Sequence, residues 1–116
     1  MKNKNVYVAI IILILLIIFW FLFQSYPNGD VTVHYIINGE GSIVPEPTGT
    51  HLSSGWSYPY NTELTITAVP DPSSPYQFDE WTIHEDGSQP LIVQQNPYTL
   101  TLTKDTTITA TFTNLR

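Results

Sequence analysis

The sequence of 116 residues contains no cysteine. No disulfide can therefore stabilise the fold, and neither thiol catalysis nor a cysteine-based zinc site is possible. Lysine and arginine are also scarce, with four such residues against ten Asp and Glu. Of the basic residues, only Lys104 and Arg116 lie after residue 23, whereas all ten acidic residues do. The chain from residue 24 onward therefore has a formal charge of −8. Nucleic acids and anionic lipid surfaces require clustered basic residues, so we expect neither as its partner.

The sequence also lacks the spacings that mark catalytic and metal sites. His34, His51 and His84 are scattered, and no H-x-E, H-E-x-x-H or G-x-S-x-G pattern occurs. His51 lies near Ser53, but a serine-rich loop explains that stretch better than a base and nucleophile. Four acidic residues in a second region match no calcium-loop spacing and are expected to be solvated: Asp79, Glu80, Glu85 and Asp86. We therefore predict no catalytic residue, no metal and no cofactor, and a protein that is not an enzyme.

The chain does contain one long apolar run, VYVAIIILILLIIFWFLF, from Val6 to Phe23. It holds no charge, glycine or proline, and a helix of this length covers about 27 Å, close to the ~30 Å hydrocarbon core of a bilayer. A signal-peptide core has roughly 7–15 residues and precedes a small-x-small cleavage site. This run is longer and no such site follows it, so we expect a retained transmembrane helix over residues 6–23.

The charges on either side of the apolar run predict its orientation. Lys2 and Lys4 precede it, and cytoplasmic flanks are enriched in basic residues, so residues 1–5 are expected in the cytoplasm. The C-terminal domain is then extracellular or on the envelope side. Trp20 and Tyr26 suit the headgroup boundary at the outer end of the helix. Residues 24–30 contain Pro27 and Asn28-Gly29, which break the helix and form a short linker.

Residues 31–116 are predicted to form one small, mainly β domain. Apolar residues alternate with polar ones, often threonine, over 31–37, 63–69, 76–83, 98–103 and 107–113, as expected for half-buried strands. The glycine-containing turn at 38–41 predicts a first hairpin, and the Ser, Gly and Pro content of 48–61 predicts a loop. Phe78 and Trp81 are three residues apart, so a β-bulge is needed if both face the core. The predicted strands are antiparallel.

Five segments of this domain resemble a known family. They are Gly39-Glu40-Gly41-Ser42-Ile43, Tyr58 to Pro70 (YPYNTELTITAVP), Tyr76-Gln77-Phe78-Asp79-Glu80-Trp81, Asn96 to Leu102 (NPYTLTL), and Asp105 to Phe112 (DTTITATF). In this order they resemble the signature of the divergent InlB B-repeat domain of bacterial surface proteins. Asn61 stands where the family has glycine, and asparagine also enters the left-handed region. The resemblance implies a β-grasp-like domain with an interaction or spacer role, here as a single copy where the family usually has several in tandem.

Aromatic residues in the 48–61 segment are the candidate partner contacts. Trp56, Tyr58 and Tyr60 would suit a protein partner or a sugar ring, although Tyr58 matches a family position expected in the core, and packing is the competing explanation for all three. We expect a membrane-anchored, non-enzymatic structural or protein-interaction subunit of a cell envelope or surface assembly. Its expected partners are the bilayer and other surface proteins or copies of itself. Two alternatives remain open: a glycan- or host-surface-binding adhesion module, and a filament or virion subunit with its apolar helix in the assembly core.

Overall fold

The structure, a computed structural model, describes residues 7–17 and 29–115. Residues 7–17 form an α-helix, in agreement with the helix predicted for the apolar run. No helix within the two described ranges is both long and apolar enough to cross a membrane. The remainder of the predicted span, the interface residues Trp20 and Tyr26, and the linker up to residue 28 lie outside the described residues. A membrane-spanning helix over 6–23 therefore stays a prediction from the sequence.

Residues 29–115, called the head below, consist of nine strands joined by turns. The strands are β1 (Asp30–Asn38), β2 (Gly41–Glu46), β3 (Thr50–Leu52), β4 (Gly55–Pro59), β5 (Thr62–Pro70), β6 (Tyr76–Glu85), β7 (Leu91–Val93), β8 (Tyr98–Leu102) and β9 (Thr106–Asn114). Strand β9 shows why these segments are extended: Ile108, Ala110 and Phe112 are buried, while the threonines between them are half-exposed. Threonine is β-branched and polar, so it suits the solvent side of such a strand. The prediction of a small, mainly β domain is confirmed.

The strands form two sheets. One has six strands in the order β3-β4-β1-β9-β6-β7, and the other has three in the order β2-β5-β8. At the centre of the larger sheet β1 and β9 run parallel, from Val33 beside Thr106 to Asn38 beside Thr111. The prediction of a purely antiparallel domain is therefore wrong for this pair. The reason is that alternation of apolar and polar residues fits parallel and antiparallel pairing equally well, so the local pattern cannot give strand direction.

The turn at 38–41 carries the chain from one sheet to the other. Strand β2 pairs with β5, from Gly41 opposite Pro70 to Glu46 opposite Thr65, so the predicted β1–β2 hairpin is wrong. A Cβ atom on Gly39 or on Gly41 would overlap Phe112, and Gly39 has a φ of 96°. The glycines therefore allow the chain to pass close over Phe112 and to leave its sheet. Strands β8 and β9 likewise lie in different sheets, one on each side of the turn at Lys104.

The segment 48–61, predicted to be a loop, contains a hairpin. Strand β3 pairs with β4, and β4 pairs with β1 from Asp30 opposite Pro59 to Val33 opposite Trp56. Composition was misleading here because both strands are short and lie near one edge of the sheet, with β3 as its edge strand, and Ser, Gly and Pro are tolerated there. Residues 29–115 contain no helix, so the second layer is a sheet and not the helix of a β-grasp.

The core lies between the two sheets. Its largest fully buried side chains are Trp81, Tyr58, Leu64, Ile66, Leu102, Ile108 and Val33. The register of β6 on β9 shifts between Phe78 and Glu80, and this bulge turns both Phe78 and Trp81 toward the core, with ring centroids 5.2 Å apart. The bulge that the spacing of these two residues requires if both face the core is therefore present, and Trp81 is fully buried. Asn61 has a φ of 74°, as its place at a family glycine position predicted.

The side chain of Asn96 fastens the connection between β7 and β8 to the smaller sheet. Strand β8 pairs with β5 only as far as Tyr98 opposite Ile66. Beyond that point the backbone N–H of Ala68 donates to Asn96 Oδ1 (2.9 Å), and Asn96 Nδ2 donates to the carbonyl oxygen of Ala68 (2.9 Å). One residue earlier, the carbonyl oxygen of Gln95 accepts a 3.1 Å hydrogen bond from the indole Nε1 of Trp81 in the other sheet. The connection therefore joins both layers by hydrogen bonds.

Candidate interaction surface

Tyr58, the middle of the three predicted contact residues, is a core residue. It is 1% exposed, and its hydroxyl donates to the carbonyl oxygen of Thr48 at 2.9 Å. That donation uses its only proton, so the 2.7 Å contact with the Tyr35 hydroxyl has Tyr35 as donor. Burial raises the pKa of both phenols, and for Tyr35 the hydrogen bond to Tyr58 raises it further. The ring of Tyr58 is therefore not part of a surface that a partner could touch.

Trp56 is half-buried and lies at the edge of the core. It stands opposite Val33 on the core-facing side of the larger sheet and packs against the buried cluster. Its other neighbour is His51 on β3, with ring centroids 4.6 Å apart and planes tilted by 41°. The two rings form an aromatic pair at the edge of the sheet. His51 was not singled out as a contact residue in the sequence, because its pairing with Trp56 depends on the β3–β4 register.

Tyr60 lies apart from the other two. It follows β4, is 40% exposed, and donates its backbone N–H to the carbonyl oxygen of Gly29 at 3.2 Å. It therefore marks the end of the head at which the chain enters β1. Since Tyr58 is buried and Trp56 belongs to the core edge, the three aromatic residues do not form one common platform.

The two edges of the larger sheet expose aliphatic side chains. Within the described residues this sheet ends with β3 on one side and with β7 on the other, each three residues long. Leu52 of β3 is 43% exposed, and Leu91 and Ile92 of β7 are 51% and 53% exposed. An edge strand has backbone N–H and C=O groups available for a further strand, and exposed aliphatic residues beside them favour such a contact. The short length of each edge limits uncontrolled pairing.

The polar residues considered from the sequence do not come together as one site within the described residues. His51 packs on Trp56 and Ser53 lies in the hairpin turn, so the structure gives them no shared site. Of the four acidic residues, Asp79 accepts a hydrogen bond from the Thr113 hydroxyl. Asp105, an acidic residue outside that group, accepts one from the backbone N–H of Thr32. No group of three or more His, Asp or Glu side chains within residues 7–17 and 29–115 could hold a metal ion.

A comparison with known families gives the context for these observations. A family model described as the divergent InlB B-repeat domain matches residues 31–115. No curated protein and no solved structure matches the chain. The family is a surface repeat domain of bacteria that is not known to be enzymatic. The match extends from the second residue of β1 past the end of β9, and so covers nearly all of the two-sheet head. The chain therefore belongs to the divergent InlB B-repeat family, of which it holds a single copy.

Proposed function

We propose that this protein is a membrane-anchored, non-enzymatic subunit of a bacterial envelope or surface assembly, with residues 6–23 as its anchor. The observation that carries the proposal is the order of two parts of the chain: a domain of a surface-domain family follows eighteen uncharged, apolar residues after only a short linker. Lys2 and Lys4 before that run support a cytoplasmic N-terminus and an external head.

The role of the head in this proposal is to bind proteins through the edges of its larger sheet. Exposed Leu52, Leu91 and Ile92 on the two three-residue edge strands support such contacts. The formal charge of −8 after residue 23 makes two heads repel each other at low salt, so a partner with basic residues fits better than a second copy.

The membrane part of the proposal can be tested by thiol labelling, since the natural chain has no cysteine. Two single-cysteine variants are compared in intact cells, Asn3→Cys before the anchor and Glu40→Cys in the exposed turn after β1. A membrane-impermeant maleimide is expected to label Glu40→Cys alone, and only detergent is expected to extract the protein. Labelling of Asn3→Cys would show that the N-terminus is outside the cell and would contradict the proposed orientation. Extraction by alkaline carbonate without detergent would refute the anchor.

The interaction part can be tested by native mass spectrometry of the gently solubilised full chain. A discrete complex with other envelope proteins is expected. Ile92→Lys at the edge of the larger sheet should reduce that complex, whereas Val69→Lys should not. Val69 is a matched control because it is also exposed, at 41%, but lies on β5, the central strand of the smaller sheet. A monomer without partners would contradict the proposal.

Glycan binding is a second candidate, supported by the half-buried Trp56 ring and its contact with His51 at the sheet edge. Tryptophan and histidine rings can stack on the apolar faces of sugars. A change of tryptophan fluorescence on adding oligosaccharides, present in Tyr60→Ala and lost in Trp56→Ala, would favour this function. The absence of any change across a panel of neutral glycans would argue against it.

A further inference from the structure

The two ends of the head lie on neighbouring strands that run in the same direction. The chain enters at Asp30, the first residue of β1, and leaves after Asn114, the last residue of β9. Since β1 and β9 are parallel neighbours, the entry lies at one end of this pair and the exit at the other. The pair occupies the two central positions of the six-stranded sheet, with β4 on the outer side of β1 and β6 on the outer side of β9.

We propose that the head serves as a load-bearing link, in which tension between residue 29 and Leu115 is carried in shear by the β1–β9 pair. Parallel strands are joined by evenly spaced, slanted backbone hydrogen bonds that bridge the gap between them, so pulling the strands in opposite senses along their axes loads the bonds together. The ladder has six paired positions, from Val33 with Thr106 to Asn38 with Thr111. Antiparallel strands pulled from one end instead separate one pair at a time and resist less.

A side-chain contact strengthens the pair at its entry end. The carboxylate Oδ1 of Asp105 accepts a 2.9 Å hydrogen bond from the backbone N–H of Thr32, just outside the six paired positions. A pull on β1 through residue 29 reaches this bond before it reaches the ladder. Because the acceptor is a carboxylate, the bond belongs to the stronger, charge-assisted class.

Phe112 opposes sliding at the exit end. Its side chain is buried and packs edge-on against Phe78, with ring centroids 6.0 Å apart. Phe112 also lies so close to Gly39 and Gly41 that a Cβ atom on either glycine would overlap it. Sliding β9 along β1 would drive this ring into neighbours that close-packed interiors do not allow to move freely. The loaded strands are therefore held by side chains near both ends as well as by the ladder between them.

The inference rests on the proposed function only for the source of the load, which would arise between a membrane anchor and a partner held beyond β9. The mechanical property itself depends on the fold alone. Failure of the labelling experiments would therefore leave the force measurement unaffected, and failure of the force measurement would leave the membrane topology unaffected.

Single-molecule force spectroscopy on the full chain in detergent tests the inference, with attachment through paired cysteines. In Asp30→Cys/Leu115→Cys the pull shears β1 against β9. In Asp30→Cys/Tyr60→Cys both attachments lie at the same end of the antiparallel β1–β4 pair, which then unzips. Shear loads all the hydrogen bonds of the ladder together, whereas unzipping breaks them one pair at a time. The unfolding force at equal loading rate is therefore expected to be severalfold higher for the first pair of attachment points. Equal forces, or a higher force for the second pair, would overturn the inference.

A second comparison isolates the bond between Asp105 and Thr32. Asp105→Ala removes the acceptor and is expected to lower the unfolding force of the sheared pair, with the unzipped pair unchanged. Asp105→Asn retains an acceptor oxygen and is expected to recover most of the force. Thermal melts of each variant show that the head is folded before it is pulled. A drop of the same size in both pulling directions would mean that Asp105 acts on global stability and not on the shear geometry.

Discussion

The amide of Asn96 offers the sharpest test of how the two sheets are held together. It continues the β5 ladder at Ala68 with one donated and one accepted hydrogen bond, both of 2.9 Å. Each bond contributes about 0.5–1.5 kcal/mol net, and a buried group left without a partner costs about 1–3 kcal/mol. Ala68 is 4% exposed, so water cannot easily replace the amide. We therefore expect Asn96→Ala to lower the free energy of unfolding by about 2–4 kcal/mol.

The assay is urea unfolding of the full chain in mild detergent, followed by tryptophan fluorescence. Trp81 is a suitable reporter because its indole is bonded to Gln95, the residue before Asn96. Amide hydrogen exchange adds a local readout, since the N–H of Ala68 should lose its protection in the variant. Asn38→Ala is the matched control: Asn38 is exposed, and its replacement should change stability by no more than about 0.5 kcal/mol.

Asn96→Asp separates hydrogen bonding from packing, because the two side chains have nearly the same shape. At neutral pH the carboxylate accepts from the N–H of Ala68 but faces its carbonyl oxygen without a proton to donate. We expect a loss at least as large as that of Asn96→Ala at pH 7. The facing carbonyl oxygen raises the pKa of this acid in the folded state, so the loss should shrink as the pH falls toward about 4, where the acid is protonated in the folded and unfolded states alike. Wild-type stability of Asn96→Asp at pH 7, or a loss below about 0.5 kcal/mol in Asn96→Ala, would refute the reasoning.

Three further predictions concern the core, the buried phenols and the turn between β5 and β6. Gly41→Ala should lower the free energy of unfolding by about 1–3 kcal/mol, because the added Cβ crowds the Phe112 ring. Thermal melts of the double-mutant cycle should show a smaller loss when the same substitution is made in a Phe112→Leu background. Burial raises the pKa of the phenols of Tyr35 and Tyr58, so their contribution to stability is complete below about pH 10 and is lost as the pH rises further. Urea midpoints measured up to about pH 11 should therefore fall less steeply with pH in Tyr35→Phe than in the wild type, and an equal slope would contradict this. The backbone N–H and the hydroxyl of Ser73 donate to Asp71 and lower its pKa, so this carboxylate supports the folded state above about pH 4 and ceases to do so as the pH falls. Ser73→Pro removes both donors and should return the Asp71 pKa, measured by NMR titration, to its ordinary value. Ser73→Ala removes only the hydroxyl and should return it only in part.

The positions of the strands could be predicted from the sequence, and their pairing could not. Alternation placed strands such as β5 and β9 within one or two residues of their observed ends, and the spacing of Phe78 and Trp81 placed the bulge. Both signals depend on residues close together in the chain. The pairing of Val33 with Thr106 joins residues far apart in the sequence, and no local pattern distinguishes Thr106 from a residue on another threonine-rich strand.

The candidate contact residues were less predictable for a related reason. Trp56, Tyr58 and Tyr60 alternate, so the sequence places them on one side of any strand, yet the structure gives them three different environments. Tyr58 is buried by the Tyr35 and Thr48 contacts, and Tyr60 lies beyond the end of the strand. The environments come from residues that reach this strand from elsewhere in the chain. A composition-based prediction of exposed aromatic residues in a loop could not include them.

The parallel β1–β9 pair also fixes when the head can fold. A chain synthesised from its N-terminus makes β1 first, but the central partner of β1 is the last strand of the head to appear. Strands β3, β4 and β1 form one part of the larger sheet and β6 and β7 form the other, and both parts are made before β9, which joins them. The core face of each part remains incomplete until β9 has been made. Closing so long a loop is entropically costly, and folds dominated by distant contacts form slowly. The head can therefore reach its native sheet only after nearly all of it has been made, and until then its strands remain open to capture by chaperones or by other chains.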